Sequence, residues 1–328
     1  MAEVKRRILS AAKASPKAKS KNPIRVKDKT IQLASSLQLP TTKTVIETDL
    51  ASYNILAYGQ PKIGKTTIFA SFPDPLFFFF EIGGKALSVF KFPSDQPCVE
   101  TWEEVIRGVD LLETTDRFEN VVFDDTAAAY SLCMDYVCRQ LKIKRIEQDT
   151  SGKRDRSGLG WQALKMEFRH QIDRIQRTRR AVHFTAHSKD QKIETRSTEF
   201  TRIVPRFTGQ CESIIVPLVD HIFFVDYYRL TAGGIGRVLL TKGDDLVQAG
   251  HKSGAFKPMP RYILLPEDEP QRDYEIIAAA FRGEEKGLDV SELQASAVTS
   301  EAGVTALAAE KIKDAQERVA AAKGGASA

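Results

Sequence analysis

From Tyr53 onward the chain alternates two textures. Short continuous apolar runs, Tyr53–Tyr58 (YNILAY), Leu76–Glu81 (LFFFFE), Asn120–Asp124 (NVVFD) and Ala181–Ala186 (AVHFTA), are separated by stretches with helical periodicity. Those stretches are Lys65–Ser71, Thr101–Glu113, Thr126–Leu141 and Leu159–Arg180. A strand buried on one face alternates apolar and polar residues, whereas a run apolar throughout belongs to a strand covered on both faces. The pattern therefore predicts an α/β fold: a mostly parallel sheet flanked by helices. After residue 217 the rhythm changes. His221–Leu230 and Gly236–Thr241 read as neighbouring strands joined by the turn Thr231–Ile235 (TAGGI), which predicts antiparallel strands at the C-terminal edge. Asp273–Phe281 reads as a short closing helix.

Composition adds boundaries to this pattern. The 328 residues are 42% hydrophobic and 28% charged, ordinary for a globular protein. No apolar run approaches the ~18 residues of a membrane span, and the N-terminus lacks the apolar stretch of a secretory signal. The four cysteines, Cys98, Cys133, Cys138 and Cys211, form no CxxC pair and have no histidine at a zinc-like offset, so idle thiols in a reducing cytoplasm are expected. The net charge of +5 is unevenly spread, because residues 1–30 carry ten Lys/Arg against Glu3 and Asp28. Three regions follow: a basic disordered tail over 1–30, a single α/β domain over 31–285, and an Ala/Glu/Lys-rich, partly helical tail over 286–328. A basic arm suits an acidic partner such as nucleic acid.

The chemistry begins at Gly59-Gln60-Pro61-Lys62-Ile63-Gly64-Lys65-Thr66, a complete GxxxxGK[ST] motif followed by Thr67. It follows an expected strand and opens an expected helix, as phosphate binding requires: the glycines let the loop curl so that backbone N–H groups face phosphate oxygens at a helix N-terminus. Lys65 would reach the β- and γ-phosphates of ATP, and Thr66 would hold Mg²⁺. A second metal anchor is expected from Asp124, at the end of the apolar strand VVFD. Asp125 is open to two readings, polarising the attacking water or capping the following helix. Glu81, expected at the end of its strand, is a candidate general base. His187, after AVHFTA, is a candidate γ-phosphate sensor, while His183 inside that run reads as packed. Two basic segments are expected to be flexible loops. One, Lys142–Gly160, includes Lys153, Arg154 and Arg156. The other, Ser188–Thr208, includes Lys189, Lys192, Arg196, Arg202 and Arg206. These cations suit a phosphate backbone. Arg202 and Arg206 also suit arginine fingers on a neighbour's nucleotide.

Taken in order, GQPKIGKTT, FFFFEIGG, VVFDD, GLGWQALKMEF, AVHFTAHS, IVPRFTGQ and VPLVDHIFFV resemble the phage-encoded RecA-like P-loop ATPases linked to single-strand annealing and recombination, over roughly residues 45–285. The resemblance implies a RecA-like core, ATP and Mg²⁺, single-stranded DNA as partner, and a homo-oligomeric ring or filament. It also implies contact with single-strand binding or other replication and recombination proteins, in the cytoplasm of the host cell. Lys65 and Thr66 would serve phosphate and Mg²⁺, Asp124 the Mg²⁺ anchor, Glu81 the catalytic glutamate, and His187 would stand where such proteins often carry glutamine. Two other readings stay open: a P-loop motor or loader acting on duplex DNA or protein, and a slowly hydrolysing, nucleotide-dependent assembly switch.

Overall fold

The computed structural model describes residues 41–155, 157–194, 199–252 and 258–297. The chain divides into Met1–Ile46, whose described residues 41–46 are exposed, and a body beginning at Glu47. The expected basic tail over 1–30 and the segment from 298 lie outside the described residues.

The apolar runs are strands: β1 (Ile55–Gly59), β2 (Pro75–Phe79), β4 (Asn120–Asp124), β5 (Ala181–Glu194) and β7 (His221–Leu230), with a short β3 (Phe90–Phe92). They pair in parallel in the order β3-β2-β4-β5-β1-β7. Antiparallel β8 (Ile235–Leu240) and β9 (Tyr262–Leu265) extend the sheet beyond β7, as the Gly-Gly turn foretold. A strand over Leu293–Ala297 also pairs with β7, so sheet pairing continues past residue 285.

The period-2 geometry of a strand sends alternate residues to opposite faces, and each face has its own core. Leu56, Tyr58, Phe78, Val121, Phe123, Val182 and Phe184 pack on one side. There they meet the helices α2 (Trp102–Leu112), α3 (Thr126–Leu141), α4 (Leu159–Arg177) and α5 (Cys211–Leu218). On the other side Ile55, Ala57, Phe77, Val122, Phe223 and Val225 meet α1 (Lys65–Ala70) and α6 (Asp273–Arg282). Two covered faces explain why these strands read as unbroken apolar runs.

Helix termini follow local chemistry. Thr101 and Glu104 form a reciprocal capping box at the start of α2. Helix α4 stops three residues short of the expected Arg180; its cap is Thr178, and Arg179 then turns left-handed (φ 64°). Arg180 itself is buried and donates to the carbonyls of Phe118 and Arg117.

The largest departure from the sequence reading is at Ser188–Thr208. Instead of a flexible loop, β5 runs on to Glu194 and returns as β6 (Glu199–Pro205), an antiparallel hairpin projecting from the sheet. Beyond its buried base at Val204 and Pro205 its residues are exposed or half-buried, so no continuous buried apolar run marks it in the sequence. The other basic segment, Lys142–Gly160, does lack a named strand or helix up to α4, yet it is tied locally. Asp149 accepts from Ser151 N and Lys153 N, and Asp155 from Ser157 N and Leu159 N.

Candidate functional site

The candidate nucleotide-binding residues gather at the C-terminal edge of the parallel strands. Residues Gly59 to Gly64 link β1 to α1, and their sequence reflects close packing. A Cβ at Gly59 would lie 2.2 Å from the Val225 carbonyl oxygen on β7. Gly64 caps α1 in the left-handed region (φ 93°), where glycine pays no steric penalty. Gln60, Pro61 and Lys62 form the outer turn of the loop, and Ile63 anchors it in the core.

Lys65 is 7% exposed, and its ammonium donates to the Gly59 and Gln60 carbonyls at 3.1 and 2.8 Å. Its Nζ also lies 3.4 Å from His187 Nδ1. Burial pushes the lysine pKa down to about 8, against the upward pull of Asp124 and Asp125. His187 is pushed down first by burial and then by Lys65, so its neutral ring suits an acceptor role toward the ammonium.

Thr66 donates its hydroxyl to Asp124 Oδ2 at 2.7 Å. Thr185 donates to the other oxygen, Asp124 Oδ1. Strand alternation explains the grouping: Asp124 on β4 and Thr185 and His187 on neighbouring β5 share the face that α1 covers. Thr185 was not singled out from the sequence. The signal was its position two residues from both His183 and His187, on the same face of an otherwise apolar run.

Asp125 follows Asp124 through a cis peptide bond. Its carboxylate accepts from Ala127 N and Ala128 N, capping α3, and it also borders the cavity beside the loop. Burial raises its pKa, while the two N–H bonds pull it down. Glu81 differs from expectation in register. β2 ends at Phe79, Phe80 N bonds to Asp124 O, and Glu81 lies two residues beyond the strand, exposed at the cavity mouth. One cavity of about 300 Å³ is lined by Lys65, Thr66, Thr67, Glu81, Asp124, Asp125 and His187 together. A buried ammonium held only by neutral partners, beside a hydroxyl–carboxylate pair of hard oxygen donors, fits a phosphate and a Mg²⁺ ion.

A second residue missed in the sequence supports the loop from below. Arg237 on β8 is 4% exposed, and its Nη2 donates to both carboxylate oxygens of Asp273, the first residue of α6, at 2.6 and 2.7 Å. A Cβ on Gly64 would meet Arg237 Nη1 at 2.3 Å, so this guanidinium lies flush against the phosphate loop. No short motif marks it, because its partner is 36 residues away.

The basic candidates separate. On the hairpin, Lys189, Ile193, Phe200 and Arg202 share one half-buried face, since directly paired residues point the same way. The opposite, exposed face carries Asp190, Lys192, Glu194 and Glu199, and Lys192 is paired with Glu199 at 3.1 Å. Arg202 donates to the Asp244 carbonyl. Arg206 lies at the hairpin base, where its N–H bonds to His187 O at 2.7 Å. Lys153 and Arg154 are exposed in the other segment, which leads into Trp161. The Trp161 ring packs close beneath Gly209, just past the hairpin, and against the core. Arg156 and Arg196 lie outside the described residues. All four cysteines are free, and His183 is buried, donating its Nε2–H to Asn120 Oδ1 at 2.8 Å and stacked on Phe69. Among the described residues no helix is long and apolar enough to cross a membrane.

Comparison with known proteins adds a family to this geometry. The sequence matches the AAA domain family over residues 51–253. No curated protein sequence matches it. The crystal structure of a KaiC-like protein from the hyperthermophilic archaeon Pyrococcus horikoshii aligns at 10% identity, covering 66% of this chain and 90% of that one, with a TM-score of 0.34.

Proposed function

Because the chain belongs to the AAA domain family, a family of P-loop ATPases, we propose that it hydrolyses ATP in response to single-stranded DNA, as a phage-type recombination or annealing ATPase. The observation that carries the ATPase reading is the convergence of Lys65, Thr66, Glu81, Asp124 and His187 on one cavity from four separate segments.

In this reading the N–H groups of the loop and the start of α1 receive the phosphates, and Lys65 leaves its loop carbonyls for the β- and γ-phosphate oxygens. Thr66 and Asp124 would hold Mg²⁺, which neutralises phosphate charge when bound. Thr185 keeps the Asp124 carboxylate aimed at α1. Glu81, exposed at the cavity mouth, takes a proton from the attacking water. His187 lies at the root of the hairpin and beside Lys65, so a shift of Lys65 toward phosphate changes its hydrogen bonding and the state of β5. Support for DNA as the partner comes from the cationic and aromatic hairpin face, the exposed Lys153 and Arg154, and the basic N-terminal segment.

The test is ATP turnover by the full chain with and without oligo(dT), at two salt concentrations, beside Lys65→Ala. Salt-sensitive stimulation that Lys65→Ala abolishes is expected. A DNA-indifferent rate would remove DNA from the reading and leave the ATPase. One observation favours a second reading, the nucleotide-dependent assembly switch. The exposed hairpin face sets Asp190, Glu194 and Glu199 against Lys192, a balance that suits a protein surface better than a phosphate backbone. Nucleotide-dependent change in oligomer size without DNA would support it.

A further inference from the structure

The base of the β5–β6 hairpin is held by more than its own two strands. Beyond β8 the chain turns back tightly. A Cβ at Gly243 would lie 2.2 Å from the Val247 carbonyl oxygen, and Asp244 accepts from Leu246 N and Val247 N at 2.8 and 3.0 Å. This compact turn then lies along β6. Val247 pairs in parallel with Ile203, Ile203 N donates to Leu246 O at 2.7 Å, and Gln248 N donates to Ile203 O at 3.0 Å. Arg202 and Arg261 both reach Asp244, the first at its carbonyl and the second at its carboxylate. The turn and the hairpin meet β1 at one side chain. Tyr58 is fully buried, its ring packed against Phe224, and its hydroxyl lies 2.7 Å from Gln248 O and 3.3 Å from Ile203 O. Burial pushes the phenol well above its usual range, so it stays a neutral donor.

A hydroxyl carries one proton, and two carbonyls are within reach of this one. It donates to the nearer, Gln248 O. A small displacement of β6 along the turn would bring Ile203 O closer and take the proton over, so the side chain has two discrete arrangements. Tyr58 also stands one residue before the phosphate loop. The Gly59 carbonyl accepts from Lys65 Nζ at 3.1 Å, and Gly59 is packed against β7 with no room for a Cβ. Backbone packed that closely transmits a shift of its neighbour. We propose that Tyr58 is a positioning residue that couples the hairpin to the phosphate loop. Its hydroxyl passes between Gln248 O and Ile203 O, and the accompanying shift of Gly59 changes the loop's hold on Lys65. The inference rests on the reading of the cavity as an ATP site. By linkage the effect runs both ways: nucleotide at Lys65 alters the hairpin, and a ligand on the hairpin alters nucleotide affinity.

The test compares wild type, Tyr58→Phe, Asp244→Ala and the double variant as full chains. Tyr58→Phe keeps the ring and removes the hydroxyl; Asp244→Ala loosens the turn and leaves Tyr58 in place. Four quantities are measured: ADP affinity, ATP turnover without DNA, hydrogen exchange of the β6 amides with and without ATPγS, and ATPγS affinity with and without oligo(dT). In wild type ATPγS should change β6 exchange, and oligo(dT) should shift ATPγS affinity by about tenfold. Each single variant should keep its ADP affinity and DNA-free turnover, which also shows that the site is folded, and lose both responses. The double variant should lose no more than either, because both changes act on one junction. Responses retained in Tyr58→Phe would overturn the proposal. So would a fall in ADP affinity and turnover, which would make the hydroxyl a plain support of the loop, or a wild-type hairpin indifferent to ATPγS. A hairpin that answers ATPγS only with the hydroxyl present, while oligo(dT) leaves nucleotide affinity unchanged, would sustain the coupling and remove DNA as its ligand. A wild-type chain that binds neither nucleotide, or turnover untouched by Lys65→Ala, would instead overturn the ATP reading on which the proposal stands.

Discussion

Lys65 is the residue in which the phosphate loop shows its readiness to bind. An ammonium in a buried loop, satisfied by two carbonyls and a neutral imidazole, keeps its proton less firmly than one in water, and its pKa falls to about 8. The folded value lies below the unfolded one. The folded chain therefore binds fewer protons between about pH 8 and 10.5, and this group's contribution to stability rises with pH across that window. Nucleotide binding has the opposite sign, because phosphate needs the charged form. Affinity for ATP should hold up to about pH 8 and then fall, by at most about tenfold per pH unit, with a proton taken up on binding. Titration calorimetry at pH 9 in two buffers of different ionisation enthalpy measures that uptake directly. Equal heats in the two buffers would mean that Lys65 is already fully charged in the free site. Asp226 offers a contrasting case on β7. It is 2% exposed, with one carboxylate oxygen unpartnered and a pKa raised to about 7 by burial. Its neutral form is the one the fold accepts, so the stability it contributes is present below the unfolded carboxylate range and lost as pH climbs through about 7. Asp226→Asn should flatten the pH dependence of the urea midpoint between about pH 4 and 7. Parallel curves for the two proteins would count against a titrating Asp226.

Among the elements, the junction of β8, α6 and the phosphate loop makes the most exposed claim. Arg237 and Asp273 form a buried pair, at 4% and 0% exposure, and the same guanidinium touches Gly64. Removing one partner strands a charge in the interior, a change that costs about 3–5 kcal/mol. Arg237→Ala should therefore lower the urea midpoint strongly, and it should weaken nucleotide binding in whatever fraction remains folded. A midpoint unchanged by the substitution would mean that Asp273 is held neutral and that the pair is incidental. This junction also marks the limit of what the sequence discloses. Strands β1, β4 and β7 and helices α1 and α3 were legible because each has a continuous apolar run or a period of 3.6, and Thr126–Leu141 was placed to the residue. The loop itself was legible because Gly64 and Lys65 are local to one motif. The Arg237–Asp273 pair joins β8 to α6 across 36 residues, and the β5–β6 hairpin mixes polar and apolar residues that are exposed or half-buried beyond its base, so neither leaves a local pattern. Glu81 was found, although its register was two residues off, because the apolar run FFFF does not show where strand pairing stops.

For the whole molecule, the order of strands places one strand, β5, between the loop strand β1 and the acidic strand β4. That intervening strand alone continues out of the sheet as a hairpin, so it supplies His187 to the cavity and Thr185 to the Asp124 carboxylate that lines it, and together with β6 it carries Lys189 and Arg202 to the surface, all within eighteen residues. A signal between nucleotide and surface has a single continuous element to travel along. Charge is distributed differently. The ten Lys/Arg of residues 1–30 outweigh the net charge of the rest of the chain, so the strongest electrostatic attraction for a polyanion lies in that segment, outside the described residues. The two contributions separate by salt. Each protein cation placed on a single-stranded phosphate releases counterion and steepens the fall of log affinity with log salt by about 0.7. Deleting residues 1–30 should weaken binding of labelled oligo(dT) at low salt. If about five of those cations touch phosphates, the deletion should make the slope shallower by about 3.5. Fluorescence anisotropy from 50 to 300 mM NaCl, on the full chain and the deletion, measures both. A shallower slope with DNA-stimulated turnover retained would assign affinity to the basic segment and coupling to the hairpin. An identical slope would confine DNA contact to the body, where Lys153, Arg154, Lys189 and Arg202 are the first candidates to carry it.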